Sequence, residues 1–151
     1  MGSMPKPRRP RDPLGRPLPW EAENQLPMED FEELDLEENH RLGLAYFNAG
    51  NFFSAHEAWE ACWKASKGTP DEELFKGLSQ LGAGYVHYRR ENHHGAKTLL
   101  RRAASRIGLA GSGWRGLDLP ALARIAEEHA DTIERAQRAG EDLPELGLPR
   151  V

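Results

Sequence analysis

An all-α fold is predicted: a single-domain antiparallel bundle of about five helices around a central buried helix over about 71–91. Three observations predict it. From about Glu33 to Gly140, apolar residues recur at helical spacing almost without interruption. No segment alternates with period two, as a half-exposed strand would. Between Gly77 and Tyr88 there is no acid, lysine or arginine, in a chain that is 29% charged, so that helix is expected to be covered on most sides. A length of 151 residues fits one domain.

The elements follow in order. Met1-Gly2-Ser3, ahead of Met4, reads as a cloning scar. Residues 1–32 are expected to be an extended or disordered tail, Pro-rich and basic, then acidic. Lys6, Arg8, Arg9, Arg11 and Arg16 stand among Pro5, Pro7, Pro10, Pro13, Pro17 and Pro19, and residues 21–38 then hold nine acids and no base. The helical domain is expected over 33–140. Its first helix spans roughly Leu34–Ala49 and ends at Gly50-Asn51, residues that tolerate a left-handed backbone. The second, about Phe52–Lys67, carries an apolar stripe of Phe52, Ala55, Trp59, Cys62 and Trp63. Thr69-Pro70-Asp71-Glu72 reads as a capping box opening the third helix, with Pro70 at its first position.

That third helix has an apolar arc of Leu74, Leu78, Leu81, Gly82, Tyr85 and Tyr88. Gly77, Gln80, Gly84 and His87 form a narrow opposite stripe. Two glycines in a helix cost about 1 kcal/mol each relative to alanine, a cost that close approach of another helix explains. Asn92-His93-His94-Gly95 reads as a short turn before a fourth helix, about Gly95–Gly108. A glycine-rich loop around Trp114 then leads to Asp118, which caps a fifth helix over about Leu119–Ala139. Residues 141–151 are expected to be irregular. Leu42-Gly43, Tyr46, Gly50, Phe53, Ala55, Trp59 and Cys62 also match the spacing of a tetratricopeptide helix pair, echoed more weakly by Leu81-Gly82, Tyr85, Ala96 and Leu100. Two copies fall short of the ~3 that a solenoid needs.

Composition excludes several classes. No uncharged stretch approaches the ~20 residues that span a bilayer, and no apolar signal region is visible. One cysteine, Cys62, precludes an internal disulfide and fits a reducing, cytoplasmic setting. A net charge of −4 argues against general affinity for nucleic acid or anionic membrane.

The runs Phe47-Asn48-Ala49-Gly50-Asn51-Phe52-Phe53-Ser54-Ala55-His56-Glu57-Ala58-Trp59-Glu60-Ala61-Cys62-Trp63 and Gly77-Leu78-Ser79-Gln80-Leu81-Gly82-Ala83-Gly84-Tyr85-Val86-His87 are distinctive, as are Asn92 and Gly95-Ala96 after them. In this order the chain resembles the bacterial domain-of-unknown-function family numbered 309, whose pattern is FNxGxFxxAHExxExxW, QGLxQxAxGxxH and GNxxGA. The resemblance covers about 40–108. Lys76 stands where glutamine is usual, and Glu91 replaces the glycine of the turn. The resemblance implies a compact helical bundle with one central helix, and no activity.

One polar cluster stands out: His56, Glu57, Glu60, Gln80 and His87. His56 and Glu60 share one side of the second helix, and Gln80 and His87 share the small-residue stripe of the third. If the two helices pack as a hairpin, these groups can meet. A hydrogen-bond network fixing how the helices meet is the simple reading. The sharper reading is a metal site of His56, Glu60 and His87, with Glu57 as the alternative carboxylate. Such a set suits zinc or iron and would activate a bound water. Without metal, a buried His–Glu pair could serve as an acid/base couple.

Functionally, the sequence points first to a non-enzymatic module that binds a protein or small ligand, with Tyr46, Phe53 and Trp63 as candidate partner contacts. The alternative is a small metal-dependent, hydrolase-type enzyme using His56, Glu60 and His87. A third reading is nucleic-acid binding through the basic tail and the fourth helix, with Arg89, Arg90, Lys97, Arg101, Arg102 and Arg106 clustered on adjacent parts of the third and fourth helices. Pairing with the acids of 21–38 explains that patch more simply. Cys62, on an apolar stripe, is expected to be inert. The sequence does not specify an oligomeric state.

Overall fold

The structure, a computed structural model, describes residues 8–26, 29–110 and 114–151. Met1–Ser3, Lys6 and the flanking prolines, and part of the glycine-rich loop, lie outside the described residues. A 3-10 turn, Phe31–Glu33, precedes five helices: α1 (Leu36–Asn48), α2 (Phe52–Ala65), α3 (Glu72–Arg89), α4 (His93–Leu109) and α5 (Leu119–Ala139). Each helix packs on its neighbours in sequence. The pairings run antiparallel: Gly43 meets Trp59, His56 meets Ser79, Gly84 meets Leu100, and Arg101 meets Asp131.

Side-chain caps fix three of the helix starts. Asp35, Asn92 and Asp118 accept from the amides of Glu38, Gly95 and Ala121, satisfying donors that a helix end leaves open. Asn92 is thus a cap, and His93-His94, expected in a turn, already belong to α4. The capping box expected at Thr69 does not form. The Thr69 hydroxyl donates to the Ser66 carbonyl at 2.6 Å, and the Asp71 carboxylate is taken by Trp114 Nε1 at 2.9 Å. Helix α3 therefore begins at Glu72, with no side-chain cap.

Helix α3 is central. Leu74, Phe75, Leu78, Leu81 and Tyr85 are buried, as expected of its uncharged run. Gly82 faces α2: a Cβ there would sit 3.1 Å from the Phe52 carbonyl oxygen and the His56 nitrogen. Gly77 and Gly84 face α4, against Ile107 and Leu100. The small-residue stripe is thus the seat of α4, and α2 is seated one step round the helix.

The α4–α5 connection returns across the bundle to α1. Trp114 lies edge-on to His40 and Phe75, with ring centroids 5.2 Å away in both pairs, and Arg115 bridges Glu37 and Asp71. His40 Nδ1 accepts from Trp59 Nε1 at 3.2 Å, which places the ring's proton on Nε2. That buried Nε2 has no hydrogen-bond partner, and the ring stands edge-on to Phe75 and Trp114. Burial pushes the Cys62 thiol up to about 12, as its apolar position implies.

Both tails dock. Residues 8–26, expected to be extended or disordered, form a turn closed by Arg11 pairing with Pro17, with Pro10 and Gly15 buried. Residues 141–151 have no regular structure, but the Tyr88 hydroxyl holds Pro144 O and Leu146 N. Asn48 holds both the amide and the carbonyl of Val151.

Three outcomes follow from this packing. A Cβ at Gly43 would lie 2.6 Å from the indole nitrogen of fully buried Trp59. Overpacking there, about 1–3 kcal/mol, outweighs the ~1 kcal/mol helix gain, so Gly43→Ala should lower the urea midpoint. Glu91 sits at φ 60°, in the left-handed region where the resembled pattern has glycine. That backbone costs a non-glycine residue about 1–2 kcal/mol, so Glu91→Gly should raise the melting temperature.

Burial, with Arg115 nearby, holds His40 below the ordinary imidazole range, Glu37 pulling the other way, and burial lowers His129 too. The unfolded chain then binds more protons as pH falls below ~6.5. Stability should be full above about pH 7 and decline below ~6.5 toward the lowered folded values. Urea midpoints compared at about pH 7.5 and 5.5 check this, and a midpoint that rises on acidification contradicts it.

Candidate functional site

The candidate polar residues lie on α2 (His56, Glu57 and Glu60) and on α3 (Gln80 and His87). His56 projects from α2 toward Ser79 because Gly82 lets the two backbones approach one turn further along α3. His56 Nδ1 lies 2.9 Å from both the hydroxyl and the carbonyl oxygen of Ser79. The Ser79 hydroxyl also donates to the His56 carbonyl at 3.2 Å. On the outer edge of the ring, Nε2 lies 3.3 Å from Glu60 Oε2, and Glu60 Oε1 is 3.3 Å from Lys64 Nζ. A chain of polar contacts thus runs from a buried serine through a half-buried histidine to an exposed lysine.

The other three residues go elsewhere. Glu57 is bound by Arg8 at 2.9 Å. Gln80 turns to α4, accepting from Arg106 Nε at 3.0 Å. The His87 ring lies by the α3–α4 turn, with Nδ1 3.1 Å from the Asn92 amide nitrogen, and a Cβ at Gly95 would come 2.8 Å from that Nδ1. Burial, Arg90 and then His56 hold His87 below the ordinary imidazole range. His56 and His87 are thus electrostatic neighbours with separate partners.

The structure therefore pairs His56 with Glu60 but does not assemble His56, Glu60 and His87 as a ligand set. Among the described residues no group of three or more His, Cys, Asp or Glu side chains is placed to hold a metal ion. His56 Nδ1 is taken by Ser79, Gln80 by Arg106, and His87 lies by Asn92, so these side chains have separate partners. Serine, histidine and glutamate in series suggest a nucleophile and base, yet Ser79 is 5% exposed. A hydroxyl covered by two helices cannot reach an external substrate.

Tyr46, Phe53 and Trp63 do not form one surface. The Tyr46 hydroxyl donates to Glu29 at 3.3 Å and its ring meets Phe31 edge-on. Trp63 is flanked by Lys67 and Lys76, at 5.1 and 5.2 Å from its ring centre. Lys76, the departure from the resembled pattern, thus has a local role. Phe53 is covered by the N-terminal segment: Gly15 packs on its ring and the Arg11 guanidinium lies 4.5 Å over it. Pro13 and Leu14 line a small gap between the segment and the helices, together with Phe52, Phe53, Val86 and Arg89.

The arginines of α3 and α4 are not matched to the acids of 21–38. Arg101 binds Asp131 and Glu134 of α5, and Arg106 binds Glu73. The reason is the packing of α4 on α5, which brings α5 carboxylates closer than the acidic segment. Sequence reasoning missed Ser79 as a partner of His56, and it placed Arg8 and Arg106 in basic patches without their partners Glu57 and Gln80. Ser79 was the one serine or threonine in the uncharged run from Gly77 to Tyr88, a signal that could have found it. Nothing in the spacing points to Arg8, 49 residues from Glu57.

No helix among the described residues is long and apolar enough to cross a membrane. Residues 40–99 match the model of the family described as Domain of unknown function (DUF309), in keeping with the resemblance carried by Phe47–Trp63 and Gly77–His87. No curated protein and no solved structure matches the chain.

His56→Ala, which leaves the Ser79 groups without their partner, should lower stability by about 1–2 kcal/mol in urea unfolding. Elemental analysis of untagged protein prepared without added metal should give well below one zinc or iron per chain, in wild type and variant alike. A stoichiometric metal lost in the variant would contradict this architecture.

Proposed function

We propose that this chain, whose residues 40–99 carry the DUF309 domain, is a non-catalytic helical module that binds an extended, proline-containing segment of a partner protein across α2 and α3. One observation carries the reading: the face of Phe53 is already covered by the chain's own N-terminal segment, with Gly15 packed on its ring, Arg11 over it, and Pro13-Leu14 lining one small gap with Phe52, Phe53, Val86 and Arg89. Aromatic-walled grooves suit such segments because proline is pre-set in an extended backbone and loses little entropy on binding. The contacts also suggest what a partner needs. Arg8, five residues before Pro13, binds Glu57 at the edge of the same face, so an arginine upstream of the Pro-Leu step completes the match. The His56–Ser79 network supports the reading by fixing the α2–α3 spacing on which the groove depends.

A labelled peptide of residues 8–18 should bind a chain lacking residues 1–18, measured by fluorescence anisotropy. It should bind the full chain at least about tenfold more weakly, because the tethered segment is present at an effective concentration near millimolar. Phe53→Ala should weaken binding to the shortened chain. Failure of the peptide to bind a shortened chain that keeps its helical circular dichroism would remove the proposal.

A further inference from the structure

The N-terminal segment does more than fill a groove, because its turn gathers positive charge against the end of α3. Asp12 N donates to Arg16 O at 3.0 Å, and Gly15 takes a left-handed φ of 79° to close the turn. Arg11 lies over Phe53 with Nη1 donating to Gly15 O at 2.7 Å. Leu14 O, on the same turn, accepts from Arg90 Nε at 3.3 Å, which ties the α3 terminus to it. Arg89, next along α3, lies over Phe52 at 4.6 Å. The carboxylate among them, Asp12, is committed to Arg16 Nε and to the amides of Leu14 and Arg16. Among the described residues, no carboxylate pairs with Arg11, Arg89 or Arg90. Three guanidinium groups, Arg11, Arg16 and Arg90, thus stand at this turn with the one carboxylate of Asp12, and burial works against the Arg90 charge.

We infer that this corner, Arg11 and Arg16 from the turn and Arg90 from α3, is a binding site for a small phosphoryl-bearing anion. The guanidinium groups are already anchored, Arg11 and Arg90 on carbonyl oxygens and Arg16 on Asp12, so little side-chain freedom is lost on binding. The remaining N–H groups of Arg11 and Arg90 have no protein acceptor among the described residues, and planar forks of this kind match the oxygens of a phosphoryl group. A single carboxylate would leave most of the charge unmatched, whereas a dianionic phosphoryl group compensates it. The site exists only while the segment is seated, since half of it belongs to the turn and half to α3. It goes beyond the peptide-binding reading and does not depend on it.

Calorimetric titration of the full chain with pyrophosphate, in low-salt buffer free of other phosphate, tests the site. Arg11→Gln and Arg90→Gln should each weaken binding about tenfold, the loss expected for one charge-assisted hydrogen-bonding group. Arg102→Gln should leave it unchanged, because Arg102 is exposed on α4, away from the turn. Arg11 lies outside every helix, so Arg11→Gln carries the test even if Arg90→Gln perturbs the α3 terminus. No measurable binding, or equal weakening by Arg102→Gln, would overturn the site. A single-stranded oligonucleotide that binds more tightly than pyrophosphate and is weakened by Arg102→Gln would overturn it in favour of a nucleic-acid surface.

Discussion

Along α3, glycines stand where two neighbouring helices come closest, Gly82 against the α2 backbone and Gly77 and Gly84 against Ile107 and Leu100 of α4. Interiors pack at crystal-like density, so an approach this close leaves no room for an added methyl group and fixes both interhelical spacings at once. The helix propensity given up is about 1 kcal/mol per glycine. Burial of Leu78, Leu81, Tyr85, Leu100 and Ile107 around these contacts offsets it. The position of His56 over Ser79, the shape of the groove beside Phe52, and the placement of His87 by the α3–α4 turn all follow from this geometry.

Polar groups at the helix contacts are partnered by whichever element lies nearest. Ser79 and His56 satisfy one another between α2 and α3, Gln80 and Arg106 do so between α3 and α4, and Tyr85 and His129 bond at 2.8 Å between α3 and α5. Each pair spans a contact between two helices and joins residues 23 to 44 positions apart, so together they help to set the register in which the helices meet. Groups shared out in this way have little capacity left for a common ligand. In a catalytic centre titratable groups converge on one reacting atom, whereas His56, Gln80 and His87 each have a separate partner.

The face with unspent capacity is the one under the N-terminal segment. There an apolar groove, a glutamate that binds arginine, and arginines without carboxylate partners lie side by side, all contributed jointly by α2, α3 and residues 8–18. Surfaces built from a core element and a docked segment respond to anything that binds one state of the segment better than the other. A partner competing for the groove and an anion bridging the turn to α3 would act in opposite directions on the same equilibrium.

The helices themselves were legible in the sequence because they rest on local physics: apolar spacing, the glycine stop at Gly50, and the Asp118 cap. The uncharged run from Gly77 to Tyr88 identified the central helix, and the pattern of Phe47–Trp63 carried a resemblance to the family whose model matches residues 40–99. The fate of the polar cluster was not legible. Spacing places His56 and Glu60 on one side of α2, but it cannot say that Gln80 faces Arg106, or that Ser79 lies between His56 and the core. Nor could composition show that a Pro-rich tail would dock, since docking depends on a groove made by two helices together. By itself the sequence determined an all-helical chain with α3 at its centre, since backbone propensity and burial act over a few residues at a time. Tertiary structure alone decided which polar groups meet and which surface stays open, because those contacts join residues 20 to 100 positions apart.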